Sequence, residues 1–465
     1  MQSEFEGYRV LFARWVLPVS SPPMKDAAIV IENDSIVDVI FRDELSYKYS
    51  PDFIEAVAEK THEYGEAIIT PGLINLHTHL DYSALHAFNV EAGMFDWICD
   101  LVARAAKWKP EQWRESALYG ARQAALAGTS CIVDSSFTGL SVHAIAKVGL
   151  RAFVGLELFG LRDDEANAVW GQWLAKYDSL RNTPESASRV AMATEKIRLT
   201  VAPHAPYTVC PTLWLKATTW AQEKALPLLA HLCESEAECQ WIRSDNRRID
   251  EYLTFVKKMY RPDIAIADSG VLEELSLIRW KNRGQSPVKH LKNFGLLDEN
   301  LVAAHAVHTD DEDLRILAEA QAKIAHCPRS NARLRNGRAK AEKFAEKKIP
   351  FGLGTDGLGS NDDLDLLKEA RFAASVHRAA VPDFQWNSEQ IFSAITLDAA
   401  RLLNISQEVG SLESGKQADI AVFKFDEAHT GSDNPYDLLL HGDARVSDLF
   451  VDGDRIVGGG ELVEK

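Results

Sequence analysis

The sequence predicts an α/β fold, a (β/α)8 TIM barrel joined to a small β-sandwich domain that both termini form. Two observations predict the barrel: short apolar or β-branched runs alternate with longer helical stretches, and eight such runs follow one another. A third observation predicts the sandwich, because both ends of the chain carry β-forming runs with turn signals between them. The barrel domain is expected over 67–408, and the discontinuous sandwich domain over 1–66 and 409–465.

Each predicted barrel strand is a short apolar run, and amphipathic stretches such as ESALYGARQAALAG and DEDLRILAEAQAK separate the strands. Parallel strands connected in this way close most economically as an eight-stranded barrel. The predicted strands are 67–75, 130–134, 152–157, 197–202, 226–231, 301–305, 323–327 and 350–355.

The flanking segments differ from the barrel units. YRVLFARWVLPV and DAAIVIENDSIVDVI precede the barrel, and ADIAVFKF and VSDLFVDGDRIVGG follow it. Their Asn-Asp and Asp-Gly turn signals predict hairpins that pair into one sandwich. The connection 241–293, between strands five and six, is long for a barrel, and such insertions usually form lids or oligomer contacts. A homo-oligomer is therefore left open.

Composition excludes some partners. The 68 acidic and 51 basic residues give a formal net charge of -17, which repels phosphate backbones and anionic membrane surfaces. The first residues, MQSEFEGYRVLFARWVL, are neither a signal peptide nor a membrane anchor by composition. The six cysteines have no CxxC spacing, which suits reduced thiols. We expect a cytoplasmic protein that binds neither nucleic acid nor membranes.

The segment LINLHTHLDYSAL places His77 and His79 two residues apart at the end of the first predicted strand. Residues i and i+2 of a strand face the same side, so both imidazoles can reach one metal ion. Ordinary hydrogen bonds at a strand end explain this motif alone equally well.

Other predicted strands end in the same way. Active sites of such barrels lie at the carboxyl ends of the strands, so these polar side chains are expected to converge. Packing alone fills barrel strands with Val, Ile and Leu, and the pattern therefore predicts a metal centre. The motifs are HTH with His77 and His79, APHAPYT with His204, AHLCE with His231 and Glu234, AAHAVH with His305, HCPRSN with His326, and GLGTDG with Asp356.

Taken in order, PGLINLHTHL, APHAPYT, HLCESEAE, AAHAVHTD, HCPRSNARL, GLGTDGLGSNDDLDLLKEAR and GSLESGKQADIAVF resemble the amidohydrolase superfamily, in its branch of cytosine, guanine and adenosylhomocysteine deaminases. The resemblance covers nearly the whole chain. It implies one divalent metal ion, Zn2+ before Fe2+, held by His77, His79, His231 and Asp356 with a position open for water. A single ion is implied because His204 stands where relatives with two metals carry a modified lysine.

The resemblance also implies roles around the metal. Glu234 would protonate a ring nitrogen of the substrate, although a glutamate at a helix start is the structural alternative. His305 would hydrogen-bond the attacking water, and Asp356 would be ligand and proton acceptor. His204 would position the substrate heterocycle. Trp97 would pack beside it, although a tryptophan on an amphipathic helix is as often a core residue.

HTHLDYSAL and HLCESEAE are similar to deaminases of 6-aminodeoxyfutalosine, an adenine nucleoside analogue that carries a benzoate. Arg162, just after the third strand, would then bind the benzoate carboxylate, although an arginine in such a loop is usually exposed. The chain lacks the tryptophan-to-proline-glutamate segment of the adenosylhomocysteine branch. Its substrate is expected to be a small heterocyclic amine, an aminopurine base or nucleoside, with 6-aminodeoxyfutalosine or another adenosine derivative first.

Guanine deamination is one alternative, and the scaffold also suits triazine chlorohydrolases and cyclic amidohydrolases. Glu234 favours amine loss, because ammonia leaves poorly without a delivered proton whereas chloride needs none. A metal-binding protein without activity is a further alternative, which the complete set of ligands and acid disfavours. Glu236 and Glu238, in the same motif, are expected on a solvated helix surface.

Overall fold

The computed structural model describes residues 5–86, 93–244, 246–260, 278, 280, 284–425 and 432–463, with the side chains of 186, 187, 189, 193 and 260 excepted. Its strands are β1 (Tyr8–Val16), β2 (Met24–Glu32), β3 (Ser35–Phe41), β4 (Thr61–Glu63), β5 (Ala67–Pro71), β6 (Leu73–Thr78), β7 (Thr129–Ser136), β8 (Arg151–Leu158), β9 (Ile197–Pro203), β10 (Leu228–Leu232), β11 (Leu301–His305), β12 (Lys323–His326), β13 (Phe351–Leu353), β14 (Ile420–Lys424), β15 (Arg445–Val451), β16 (Asp454–Gly458) and β17 (Glu461–Leu462).

Helices occupy most of the connections between these strands. The α-helices of the described residues are Leu45–Lys48, Pro51–Val57, Met94–Ala105, Pro110–Leu126, Ser141–Val148, Ala166–Arg181, Ser186–Ala193, Pro211–Lys224, Glu236–Arg243, Arg247–Tyr260, Pro287–Asn293, Asp311–Glu319, Pro328–Arg333, Ala341–Glu346, Leu366–Ala380, Ser388–Ser393, Leu397–Leu402 and Pro435–His441. Short 3-10 helices are Arg42–Glu44, Ala58–Lys60 and Leu80–Leu85.

The predicted barrel is built from β6 to β13. The strands β6 to β9 form one four-stranded parallel sheet, and β10 to β13 form a second one, both in chain order. Main-chain hydrogen bonds join the two sheets at both edges: His231 N donates to His204 O at 2.8 Å, and Asp356 N donates to His77 O at 2.9 Å. The carboxyl ends of all eight strands therefore surround one space.

The predicted first barrel strand, 67–75, is two strands in the structure. β5 pairs with β1 and β14 in the sheet of the terminal segments, whereas β6 starts the barrel. Gly72 separates them, and a Cβ at this position would lie 2.3 Å from the hydroxyl oxygen of Ser130. Pro71 and Gly72 form a turn signal at this junction, and the prediction of a single strand wrongly ran across it. The rest of the expected division into two domains stays a prediction.

Both termini contribute to one nine-stranded sheet, in the order β17-β16-β15-β14-β5-β1-β2-β3 with β4 beside β1. β14 pairs antiparallel with β5, which joins the carboxyl-terminal strands directly to the amino-terminal ones. One face packs Val10 and Phe12 against Phe53 of the helix Pro51–Val57. The pairing of the two termini agrees with the prediction, and a two-layered sandwich stays a prediction.

The long insertion 241–293 lies partly outside the described residues, which lack 245, 261–277, 279 and 281–283. Its helix Arg247–Tyr260 packs against the helix Met94–Ala105, and Arg248 donates to both carboxylate oxygens of Asp96 at 2.8 and 2.9 Å. A role in oligomer contacts stays a prediction. Within the part of the chain that the structure describes, no helix is long and apolar enough to span a membrane.

Arg151, the first residue of β8, links the barrel to the terminal sheet. Its guanidinium donates to the two oxygens of Asp419 at 3.1 and 3.2 Å and also contacts Asp452. The side chains of Arg151 and Asp419 are only 7% and 1% exposed. Because Arg151→Met leaves the buried Asp419 charge without its partner, the free energy of unfolding should fall by about 3–5 kcal/mol.

Urea unfolding followed by tryptophan fluorescence measures this change. The matched control is Arg104→Met, whose ion pair with Asp100 has side chains 58% and 51% exposed. This pair should contribute less than about 1 kcal/mol. Equal stability of the two variants would contradict a role for Arg151 in holding the two parts together.

Candidate metal centre and active-site cavity

The four predicted ligands come together at the mouth of the barrel. One ring nitrogen from each of His77, His79 and His231 lies within 4.8 Å of the other two, and the Nε2 atoms of His79 and His231 are 3.0 Å apart. Asp356 Oδ1 lies 3.7 Å from Nε2 of His77 and 3.7 Å from Nε2 of His79. β6, β10 and the turn after β13 supply these side chains, so residues distant in sequence share one centre.

The protonation of the histidines fits a bound metal ion. Nδ1 of His79 donates to Ser135 O at 3.0 Å and Nδ1 of His231 donates to His204 O at 2.9 Å, so both Nε2 atoms keep their lone pairs. Two lone pairs 3.0 Å apart repel each other unless a cation lies between them. Nε2 of His77 is buried and has no hydrogen-bond partner among the described residues. Burial lowers the pKa of His77 and His231 well below its usual value, so both rings are neutral, as coordination requires.

The backbone is strained where these strands end. Cys233, His305 and Asp356 have φ angles of 51°, 74° and 60°, a left-handed region that non-glycine residues rarely occupy. Such conformations cost roughly 1–3 kcal/mol each and persist where surrounding contacts enforce them. Asp356 is held in this way, because the Ser330 hydroxyl donates to Oδ2 at 2.6 Å and the Gly357 N–H donates to Oδ1 at 2.8 Å. Its carboxylate is therefore oriented before any ligand binds.

Glu234 follows β10 and faces the same cavity as the ligands. Its Oε1 accepts a hydrogen bond from Asn336 Nδ2 at 3.1 Å and lies 3.7 Å from His305 Nε2. Burial, together with the negative charge of Asp356, raises the pKa of Glu234 well above its usual value. Glu234 therefore keeps a proton under conditions in which an exposed glutamate is ionised.

Glu238 corrects the expectation of a solvated helix surface in this motif. Its side chain is fully buried, and its two carboxylate oxygens accept hydrogen bonds from the backbone N–H groups of Cys233 and Glu234 at 3.0 and 2.9 Å. Glu236, by contrast, is exposed as expected. Glu238 thereby fixes the turn from which Glu234 projects.

Asn331, in the HCPRSN motif, orients His305. Nδ1 of His305 donates to Asn331 Oδ1 at 2.8 Å, so Nε2 of the ring is an acceptor directed at the metal cluster. Asn331→Ala should slow turnover roughly 10- to 100-fold, because groups that orient catalytic residues typically contribute that much. Steady-state kinetics and the metal content measure the change. Asn331→Asp keeps an acceptor oxygen and should restore part of the rate; an unchanged rate in the alanine variant would contradict this role.

A cavity of about 360 Å³ lies above the cluster, and its wall is mostly apolar and aromatic. His204 and Trp97 both line it, and Trp97 is fixed by a hydrogen bond from Nε1 to Gly359 O at 2.9 Å. Burial lowers the pKa of His204 to about 3, so its ring is neutral. The apolar and aromatic lining consists of Tyr82, Met94, Trp97, Ile98, Leu101, Val102, Phe137, Phe159, Tyr252 and Val256.

Arg162 is not brought to this cavity. Its guanidinium pairs with Asp164 and lies 3.4 Å from Glu165, and its side chain is 41% exposed. Asp164 and Glu165, which follow Arg162 in the same loop, are its local partners, and the pattern of strands could not predict this pairing. The geometry therefore gives no support to the predicted carboxylate clamp.

Glu157 of β8 was missed by the sequence analysis, although it lines the cavity. Like the predicted residues, Glu157 is a polar residue near the carboxyl end of a barrel strand, so the same pattern could have identified it. His326, which received no role, contacts His377 through Nε2 at 2.9 Å. His308 donates from Nε2 to Asn336 O at 2.7 Å, a structural contact.

A cluster of metal-binding side chains at the carboxyl mouth of a parallel barrel is typical of a metal-dependent enzyme. Residues 68–456 match the amidohydrolase family, and the chain belongs to this family. The 5-methylthioadenosine/S-adenosylhomocysteine deaminase of Pyrococcus abyssi is 29% identical over 446 residues, which cover 94% of this chain and 89% of the relative.

Solved structures share the fold. An adenosine deaminase from Xanthomonas campestris with bound zinc has a TM-score of 0.78 at 23% identity, covering 98% of this chain and 94% of the other. Atrazine chlorohydrolase from Arthrobacter aurescens, complexed with zinc, has a TM-score of 0.77 at 23% identity, covering 98% of this chain and 97% of the other. Both comparisons extend over the barrel and the terminal sheet.

Proposed function

We propose that this protein is a metal-dependent hydrolytic deaminase that releases ammonia from an adenosine derivative. The observation that carries the proposal is the position of the buried Glu234 carboxyl group, which lines the cavity 3.7 Å from His305 at the edge of the ligand cluster and whose pKa burial raises. Amine loss from an aromatic ring needs an acid at this place. The similarity to a 5-methylthioadenosine/S-adenosylhomocysteine deaminase supports the same class of substrate.

The residues around the cluster divide the chemistry among them. A divalent metal ion, Zn2+ in our proposal, would be held by the three histidines and Asp356 and would lower the pKa of the attacking water. His305 accepts a hydrogen bond from that water at Nε2, because its Nδ1 proton is committed to Asn331. Glu234 delivers its proton to the ring nitrogen beside the carbon that carries the amine. Asp356 would accept the proton that the water loses as its oxygen bonds to the ring carbon. Asp356 would then pass this proton to the amine, which leaves as ammonia when the C–N bond breaks, while the added hydroxyl returns its proton to Glu234 as the carbonyl forms.

The cavity indicates what kind of substrate is bound. Its volume of about 360 Å³ suits a flat purine, and the aromatic and aliphatic part of its wall suits an apolar substituent such as a methylthio group, although Lys257 also lines the cavity. Among adenosine derivatives we therefore place 5′-methylthioadenosine first. The narrower expectation, 6-aminodeoxyfutalosine, depended on Arg162 as the benzoate partner, and the exposed pairing of Arg162 with Asp164 weakens it.

A substrate panel tests the proposal. Zinc-loaded protein is incubated with 5′-methylthioadenosine, adenosylhomocysteine, adenosine, 6-aminodeoxyfutalosine, guanine and atrazine, and both ammonia and chloride are measured. Ammonia from one or more adenosine derivatives supports the proposal. Ammonia from guanine alone, or chloride from atrazine without ammonia from any nucleoside, would replace it with the corresponding alternative.

A further inference from the structure

Glu157 is a buried carboxyl group that the proposed chemistry does not use. Its side chain is 4% exposed and lines the cavity. His79 Nδ1 lies 4.0 Å from its Oε1, and that nitrogen already donates to Ser135 O. Among the described residues, no group donates a hydrogen bond to the Glu157 carboxyl. A buried carboxyl without a partner is costly, and a bound ligand with hydrogen-bond donors would satisfy it.

His204 lies beside this carboxyl. Glu157, His204 and His231 each place one nitrogen or oxygen atom within 4.8 Å of the other two. Nδ1 of His204 lies 2.9 Å from the hydroxyl oxygen of Thr208, which leaves Nε2 for a ligand. Glu157 and His204 therefore form a polar patch in an otherwise apolar wall, next to the metal cluster.

The order of the strands relates this patch to the substrate. Glu234 and His204 follow the neighbouring strands β10 and β9, and Glu157 lies near the end of β8, the next strand. Around a 6-aminopurine, the atoms after the amine-bearing carbon are N1, C2, N3, C4 and the sugar-bearing N9. With N1 at Glu234, as the proposed function requires, and the purine lying along this order of strands, the N3 edge would face His204 and the sugar would face Glu157.

We propose that Glu157 is a specificity-determining residue that binds the vicinal hydroxyl groups of the substrate's sugar. This inference rests on the proposed function, because it takes the orientation of the purine from Glu234. The two oxygens of one carboxyl group can each accept a hydrogen bond from one of two adjacent hydroxyls. The residue thereby selects ribonucleosides over free bases and over sugars that lack these hydroxyls.

The test compares the binding of adenosine and 2′,3′-dideoxyadenosine by calorimetry. Zinc-loaded Glu234→Gln protein is used, because its slow turnover leaves the substrate intact. Adenosine should bind roughly 10- to 100-fold more tightly than the dideoxynucleoside, the range for two hydrogen bonds to one carboxyl group. Adding Glu157→Ala should remove this preference by weakening adenosine alone.

Two variants complete the design. Glu165→Gln changes an exposed glutamate in the loop after the same strand and should leave the preference intact. Glu157→Gln keeps the size of the side chain and should still reduce the preference if the alanine variant does not fold. The zinc content should stay the same in every variant.

The failures are distinguishable. Equal binding of the two nucleosides while Glu157 is intact would overturn this inference and leave the proposed deaminase function standing. No binding of either nucleoside would overturn this inference, and the absence of ammonia from every adenosine derivative in the substrate panel would separately overturn the proposed function. Loss of zinc on replacing Glu157 would assign it instead to the metal, directly or by positioning His79.

Discussion

Asp356→Ala and His231→Ala are each expected to lose most of the bound metal ion and, with it, the activity. Zinc sites of four ligands bind with about 10–16 kcal/mol in total, so one ligand contributes about 3 kcal/mol, or roughly 10²-fold in affinity. Asp356→Ala also removes a carboxylate that hydrogen bonds from Ser330 and Gly357 orient for metal binding. At His231 the variant also removes the Nε2 atom that lies 3.0 Å from His79.

Elemental analysis after dialysis against a zinc buffer measures the loss, and ammonia release gives the activity. His62→Ala is the control, since this histidine lies on β4 in the terminal sheet and stacks on Tyr64, away from the cluster. It should keep its full metal content and rate. A full equivalent of zinc in Asp356→Ala or His231→Ala would remove that residue from the ligand set.

The centre could be predicted because each of its residues ends a strand. The apolar runs identify the strands, and the rule that barrel chemistry lies at the carboxyl ends predicts that their terminal polar residues converge. The resemblance to the amidohydrolase superfamily then distinguishes His77, His79, His231 and Asp356 as the ligands. Their convergence within a few ångströms then follows from closure of the barrel, which the hydrogen bond from Asp356 N to His77 O completes. The sequence pattern thus predicted that these residues lie close together, although it gave no distances between them.

The residues that orient the centre could not be predicted in this way. Asn331 and Asn336 follow β12 in a helix and a loop, and nothing in their local sequence distinguishes them from surface residues. Their roles depend on which strand end packs beside them, His305 in one case and Glu234 in the other. The same limit explains Glu238, because a helix pattern cannot reveal that two backbone N–H groups of the preceding turn will bury its carboxylate.

Glu234→Gln is expected to keep its metal ion and to turn over roughly 10²- to 10⁴-fold more slowly. Glutamine has the size of glutamate and can still hydrogen-bond Asn336, but it cannot deliver a proton, and general acids typically contribute this factor. Glu234 contacts His305 at 3.7 Å and is not one of the clustered ligands, so its replacement should spare the metal. Loss of zinc together with activity would make Glu234 a ligand and not the acid.

A comparison of the pH dependence of the unmodified enzyme with that of Glu234→Gln shows whether Glu234 acts as an acid or has only a structural role. Burial and the charge of Asp356 raise the pKa of Glu234, so the protonated form persists above the usual range and is lost as the pH rises through the raised value. The kcat/KM of the unmodified enzyme should therefore decrease at alkaline pH, and this alkaline limb of the pH profile should be absent from Glu234→Gln. The variant should be slow on adenosine derivatives, whose ammonia leaves only after proton transfer, yet much less impaired on a ring that releases chloride, which needs no proton. An unaltered alkaline limb in Glu234→Gln would assign the proton delivery to another group and remove the observation on which the deaminase function rests.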